Sequence, residues 1–183
     1  LVLLKQTDQA NAMLSRLSSF LRFTLINEAA AKVPLTQEIE TLKLYLDIEK
    51  MRFEERLRTF FTIEPAVQDA LVPSLLLQPL VENAIKYGFD GSDITLAITM
   101  VAPRHLRIDV TNFGEGIEER HLPRLTERFY RVDKARSRQI GGTGLGLAIV
   151  KHIVNRHRGS LSITSTLGET TRFSVDFPLA PSQ

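Results

Sequence analysis

The chain has 183 residues, enough for one ordinary domain or one domain with a helical appendage. A hydrophobic fraction of 43%, a charged fraction of 24% and a net charge of +2 fit a soluble globular protein and make no demand for nucleic acid or an acidic membrane as partner. With no cysteine, disulfides and thiolate metal sites are excluded, in keeping with a reducing cytosol.

The chain opens on Leu1-Val2-Leu3-Leu4, which lacks a preceding basic region and is too short for a signal peptide; it reads like a chain cut from something longer. No apolar run approaches the roughly 20 residues that span a bilayer. Ala10, Met13, Leu14, Leu17, Phe20, Leu21 and Leu25 recur at steps of three and four, which predicts an amphipathic helix. Residues 27–34 break that pattern, with Pro34 as the stop. Thr36 is positioned to cap a second helix, with Glu38 and Glu40 near its positive end. Its apolar residues occupy more than one face, so the expectation is either a helical hairpin on the flank or a pairing interface within the chain or across a dimer.

From residue 58 the texture changes. Residues 58–63 predict a short strand, 64–70 a loop, and 74–87 a helix with a polar end. Residues 93–101 and 105–111 alternate apolar and polar and predict two strands. Residues 112–117 form a glycine loop, 118–132 are partly helical, and 133–142 are polar, basic and expected to be mobile. Residues 144–157 predict a helix, and 160–166 with 171–177 a closing hairpin. The expected architecture is α+β: a two-layer sandwich, one mixed sheet with helices on one face, preceded by the helical hairpin. Residues 1–57 would be helical and 58–183 a separate domain.

Three stretches carry candidate chemistry. In Glu82-Asn83-Ala84-Ile85-Lys86-Tyr87 an amide and an ammonium fall one turn apart, a pairing suited to a Mg²⁺-phosphate group, and Tyr87 could stack on a base. Asn112-Phe113-Gly114-Glu115-Gly116-Ile117 follows a strand; its glycines would admit a planar base and Asn112 could bond its edge, or the stretch is a tight turn. Gly141, Gly142, Gly144 and Gly146 put four glycines in six residues ahead of an apolar helix, a place where free N–H groups and the helix dipole favour phosphate unless the loop is an ordinary one. Neither the G-x-G-x-x-G spacing of dinucleotide folds nor the Lys-Ser/Thr of a P-loop is present. Lys134, Arg136 and Arg138 precede this loop and would screen a polyphosphate, or belong to a solvated loop.

Together, in this order, the stretches resemble the GHKL ATP-binding domain of histidine kinases, a family that includes gyrase, Hsp-type chaperones and mismatch-repair ATPases. Residues 82–87 look like its N box, 112–117 its first glycine box, Glu127-Arg128-Phe129-Tyr130-Arg131 its F box, Gly142-Thr143-Gly144-Leu145-Gly146-Leu147 its second glycine box, and 168–173 its closing hairpin. The resemblance implies that Asn83 binds Mg²⁺, Lys86 a phosphate, and that Tyr87 lies against the adenine. It implies that Gly114 and Gly116 make room for the base, and that Arg131, Lys134, Arg136 and Arg138 belong to an ATP lid. Gly142, Thr143, Gly144, Leu145 and Gly146 would surround the phosphates, Thr171 would reach the adenine side, and Glu82 is a general-base candidate. The implied activity is that of a cytoplasmic sensor histidine kinase: transfer of the ATP γ-phosphate to a histidine, then to a response regulator, from a homodimer joined by the N-terminal helices.

The sequence departs from the family in three places. The first glycine box usually opens with aspartate, where Asn112 stands here. Pro79 occupies a place, one turn before Asn83, that is often polar. The histidines, His105, His121, His152 and His157, all fall in the ATP-binding half, so an acceptor would lie outside this chain. The two halves also resemble different subfamilies. Residues 17–87 look like the autolysin-regulator type, whose acceptor sits in a Pro-His-Phe-Leu-Phe-Asn segment expected just upstream. Residues 122–159 look like phosphate-sensor kinases. A degenerate GHKL module that docks a partner, and an anti-sigma-type serine kinase, are the alternatives.

Overall fold

The computed structural model describes residues 32–53, 57–132 and 143–179, with residues 11, 14–15 and 17–18. Those five N-terminal residues are helical; most of the first expected helix, and with it the hairpin, lies outside the described residues. Among the described residues no helix is long and apolar enough to cross a membrane.

The sheet comprises β2 (Arg58–Ile63), β4 (Asp93–Ala102), β5 (His105–Phe113), β7 (Thr170–Pro178) and β6 (Ser160–Ser165), in that spatial order. β2 runs parallel to β4 and every other neighbour is antiparallel, so the sheet is mixed. Alternation sets which face each side chain takes. Leu106, Ile108 and Val110 of β5 and Phe173, Val175 and Phe177 of β7 are buried on one face. The helices cover that face. α1 (Leu35–Phe53) buries Leu35, Ile39, Leu42 and Leu46; α2 (Leu77–Tyr87) buries Leu77, Leu80, Val81 and Ala84; α3 (Gly146–Arg156) buries Val150, Ile153 and Val154. These residues form a single core cluster that runs from Val33 to Phe177.

Several local expectations are corrected. Residues 32–34 and 71–73 pair as a two-stranded antiparallel sheet, β1 (Lys32–Pro34) with β3 (Leu71–Pro73). α1 starts at Leu35, whose amide donates to the Ala70 carbonyl at 2.8 Å, so Thr36 lies inside the first turn and is no cap. α2 starts at Leu77 rather than 74, because Leu75 takes a left-handed conformation (φ 60°) that no helix continues through. The Glu38 carboxylate reaches across from α1 to this turn and accepts the amides of Leu75 (3.1 Å) and Leu77 (3.0 Å). Glu38 therefore caps the neighbouring helix, and its pKa is pushed up by burial against the opposing effect of those hydrogen bonds.

Candidate functional site

The inward rows of β5 and β7 become polar at one end. After Leu106, Ile108 and Val110, the next inward position is Asn112, and opposite it in register stands Thr171, the residue before Phe173 in the row of β7. Both are buried, Asn112 at 1% exposure. A polar pair at the end of two apolar rows forms the floor of a cavity of about 190 Å³. Asn112 Oδ1 is buried there without a hydrogen-bond partner, an arrangement that costs roughly 1–3 kcal/mol unless a ligand satisfies it. Ser165 on β6 supports this floor: its hydroxyl accepts the Ile117 amide at 2.9 Å and lies 2.8 Å from the Thr171 hydroxyl.

α2 forms a second wall through Asn83, Lys86 and Tyr87. The Asn83 amide nitrogen donates to the Pro79 carbonyl one turn back, at 2.6 Å, which commits that end of the amide to the helix. Lys86 pairs with Glu82 on the same helix. The start of α3 closes the site. Gly146, its first residue, faces α2: a Cβ there would come within 3.5 Å of the Asn83 amide nitrogen. No side chain caps the first turn of α3, so its leading N–H groups remain available to an oxyanion. Gly144, just before, has φ +71°, and a Cβ would approach the Phe129 backbone to 2.9 Å, so only glycine lets these two turns meet. The Phe129 amide donates to the Gly144 carbonyl at 2.9 Å, which joins the turn at residues 127–130 to the glycine loop. Tyr130 faces the cavity, its hydroxyl held by His121 Nδ1 at 2.6 Å and its ring covered by the Arg124 guanidinium at 4.2 Å.

Of the expected site residues, Asn83, Lys86, Tyr87, Asn112, Gly116, Arg131, Thr143, Gly144 and Thr171 line this one cavity. Glu82, Gly114, Leu145 and Gly146 do not line it. A Cβ on Gly114 would collide with the Tyr87 carbonyl oxygen, so the close approach at that glycine is to protein backbone. Gly142, Lys134 and Arg136 lie outside the described residues, as does Arg138. Sequence reasoning missed Ser165, and it missed the apolar walls made by Ile117, Leu125, Leu147 and Phe173. Phe173 was detectable as the inward neighbour of Thr171 at a spacing of two; Ser165 carried no signal of its own. The arrangement suits a ligand with a flat, hydrogen-bonding ring at one end and oxyanions at the other.

Residues 68–181 match the family of histidine kinase-, DNA gyrase B- and HSP90-like ATPases, and residues 1–57 match a histidine kinase family. The chain is 47% identical over 104 residues to the phosphate regulon sensor protein PhoR of Pseudomonas aeruginosa, covering 57% of this chain and 23% of that protein. It is 38% identical over 109 residues to the sensor histidine kinase WalK of Bacillus subtilis, covering 59% of this chain and 18% of that protein. The chain thus spans less than a quarter of the length of either relative. Among solved structures, the mycobacterial sensor histidine kinase MprB superposes with a TM-score of 0.66 at 24% identity, over 82% of this chain and 98% of that one. Full-length ShkA in complex with AMPPNP gives 0.68 at 21% identity, over 96% and 37%. These likenesses establish the fold.

Proposed function

The chain belongs to the histidine kinase-, DNA gyrase B- and HSP90-like ATPase family, and on that premise we propose that it is the catalytic, ATP-binding portion of a sensor histidine kinase. It passes the γ-phosphoryl group of ATP to a histidine outside this chain, and from there to an aspartate of a response regulator. The observation that carries the reading is the orphaned acceptor, Asn112 Oδ1, at the buried end of a cavity whose other walls present Lys86, Asn83 and an uncapped helix start. The adenine 6-amino group satisfies that acceptor, with the base between Ile117 and Phe173 and the Tyr87 ring near its edge. Thr143, Gly144 and the first amides of α3 take the phosphates, and Lys86, released from Glu82, answers their charge. Asn83 Oδ1, the end of its amide not bonded to Pro79, is the group that would hold Mg²⁺, which when bound neutralises the transferring phosphates.

Within residues 1–57, the segment ahead of β1 is the part that pairs two copies, since β1 and α1 belong to the core they share with the sheet. Leu14 and Leu17, three apart on its helix and exposed at 62% and 37%, support a buried seam between partners. Residues 58–183 are the ATP-binding part, working on the cytoplasmic side where ATP is found. The docking-module and serine-kinase readings account less well for relatives named as a sensor protein and a sensor histidine kinase.

Titration of Mg-ATP into this chain in a calorimeter tests the proposal. Binding is expected with a dissociation constant of about 1 μM to 1 mM, the range of substrate sites, and Asn83→Ala should lose most of the Mg²⁺-dependent part. A folded chain that gives no heat with Mg-ATP overturns the reading.

A further inference from the structure

The buried amide of Asn112 has a consequence for which base the site takes. Among the described residues, no hydrogen bond involves either end of that amide, and its oxygen is fully enclosed. A side-chain amide offers one donor end and one acceptor end of nearly equal size, and only its partners decide which faces where. Among the described residues no group decides. We propose that Asn112 makes this cavity a site for both 6-amino and 6-oxo purine nucleoside triphosphates, so that GTP is accepted alongside ATP. The proposal rests on the reading above in one respect only: that a purine lies against Asn112.

The chemistry is a matter of matching edges. Adenine presents a donor (the 6-amino group) beside an acceptor (N1); Asn112 meets it with Oδ1 on the amino hydrogen and Nδ2 on N1. Guanine presents the reverse, an acceptor (O6) beside a donor (N1–H). Turning the amide over meets it with Nδ2 on O6 and Oδ1 on N1–H. A carboxylate at the same place has acceptors only. It would take the adenine amino hydrogen at the 6 position; guanine puts O6 there, and although its N1–H can still donate, the carboxylate charge is set against O6 in a buried spot, a mismatch that weakens guanine.

A second group on the floor has the same ambivalence. Thr171, opposite Asn112 in register, has its hydroxyl 2.8 Å from that of Ser165, and either can be the donor. Ser165 has another acceptor within reach, the Thr170 carbonyl at 3.3 Å. When Ser165 turns its proton there, the Thr171 hydroxyl can donate elsewhere; when it does not, Thr171 can accept. The floor therefore has no fixed polarity, in contrast to the wall at α2, where the Asn83 amide is committed to Pro79.

The test is a set of titrations of the chain with Mg-ATP, Mg-GTP and Mg-CTP, repeated with Asn112→Asp. The expected result is ATP and GTP dissociation constants within about tenfold of each other in the unaltered chain, with CTP much weaker. In Asn112→Asp the preference for ATP over GTP should widen to about a hundredfold or more, the discrimination a matched hydrogen-bond pair supplies. Asn112→Ser, whose hydroxyl also donates or accepts, should keep the ratio small; it serves if the aspartate variant does not fold. An unaltered chain that binds ATP and rejects GTP a hundredfold overturns this proposal and leaves the kinase reading standing. A folded chain that binds neither nucleotide overturns both.

Discussion

Gly116 and Gly168 have nearly the same backbone, φ +76° and +72°, and face different surroundings. A Cβ on Gly168 would meet nothing within 4 Å, whereas one on Gly116 would lie 2.6 Å from the Thr166 carbonyl oxygen and 2.7 Å from the Leu167 Cα. Alanine at Gly168 therefore adds only the left-handed penalty, about 1–2 kcal/mol. Alanine at Gly116 adds that penalty and also forces the loop off the 166–167 turn, and Gly116 lines the cavity. Urea denaturation should give a loss of about 1 kcal/mol for Gly168→Ala and at least twice that for Gly116→Ala, with nucleotide affinity falling only in the second. Equal losses would contradict this account. At this scale the glycine stretches were legible as loops, but not what each glycine approaches. Gly114 was expected to admit a base and instead admits the Tyr87 backbone, since a sequence carries no record of which atom arrives from a distant element.

At the scale of elements, the joint between α1 and α2 is a buried carboxylate. Glu38 leaves the first turn of α1 and holds the turn ahead of α2, including the left-handed Leu75. Burial raises its pKa above 4.5, so the folded protein holds the proton more tightly than the unfolded chain does. Where the folded form is still protonated and the unfolded form is not, the unfolded chain binds fewer protons and stability falls as pH rises. The stability of the chain measured against Glu38→Gln should thus be greatest at or below pH 4.5 and decline as pH rises through the raised folded value. Glutamine does not titrate, and it has one carbonyl oxygen for two amides. Denaturation in urea at stepped pH checks the slope, and an increase with pH would refute it. The alternating strands β4 and β5, the helices α2 and α3 and the closing hairpin were legible because each has its own periodicity. β1 and β3 were not. Three residues ending in proline, Lys32-Val33-Pro34 and Leu71-Val72-Pro73, carry no period and form strands only because each is the other's partner. Glu38 likewise read as a dipole residue of its own helix, since its partners lie 37 and 39 positions away.

At the scale of the molecule, the site belongs to no single layer. Asn112 and Thr171 come from the sheet, Asn83, Lys86 and Tyr87 from α2, and Thr143 and Gly144 from the approach to α3. A nucleotide that touches all of them joins the sheet to the helical layer, and any opening that separates the layers must release it. Binding to the folded state alone adds about 2.7 kcal/mol at a hundred times the dissociation constant. That increment should appear in every opening that parts sheet from helices and be absent from openings that do not. Hydrogen exchange with and without Mg-ATP separates the two cases. Amides of α2, of residues 112–117 and of the first turns of α3 should slow together by a common factor. Those of the edge strand β2, which pairs with β4 and not with β5, and of Arg104 in the turn at the far end of β4 and β5 from Asn112, should slow only where their exchange already requires global unfolding. Slowing confined to residues 143–150 would mean that phosphate contacts alone hold the ligand, and that the polar floor of the cavity takes no part.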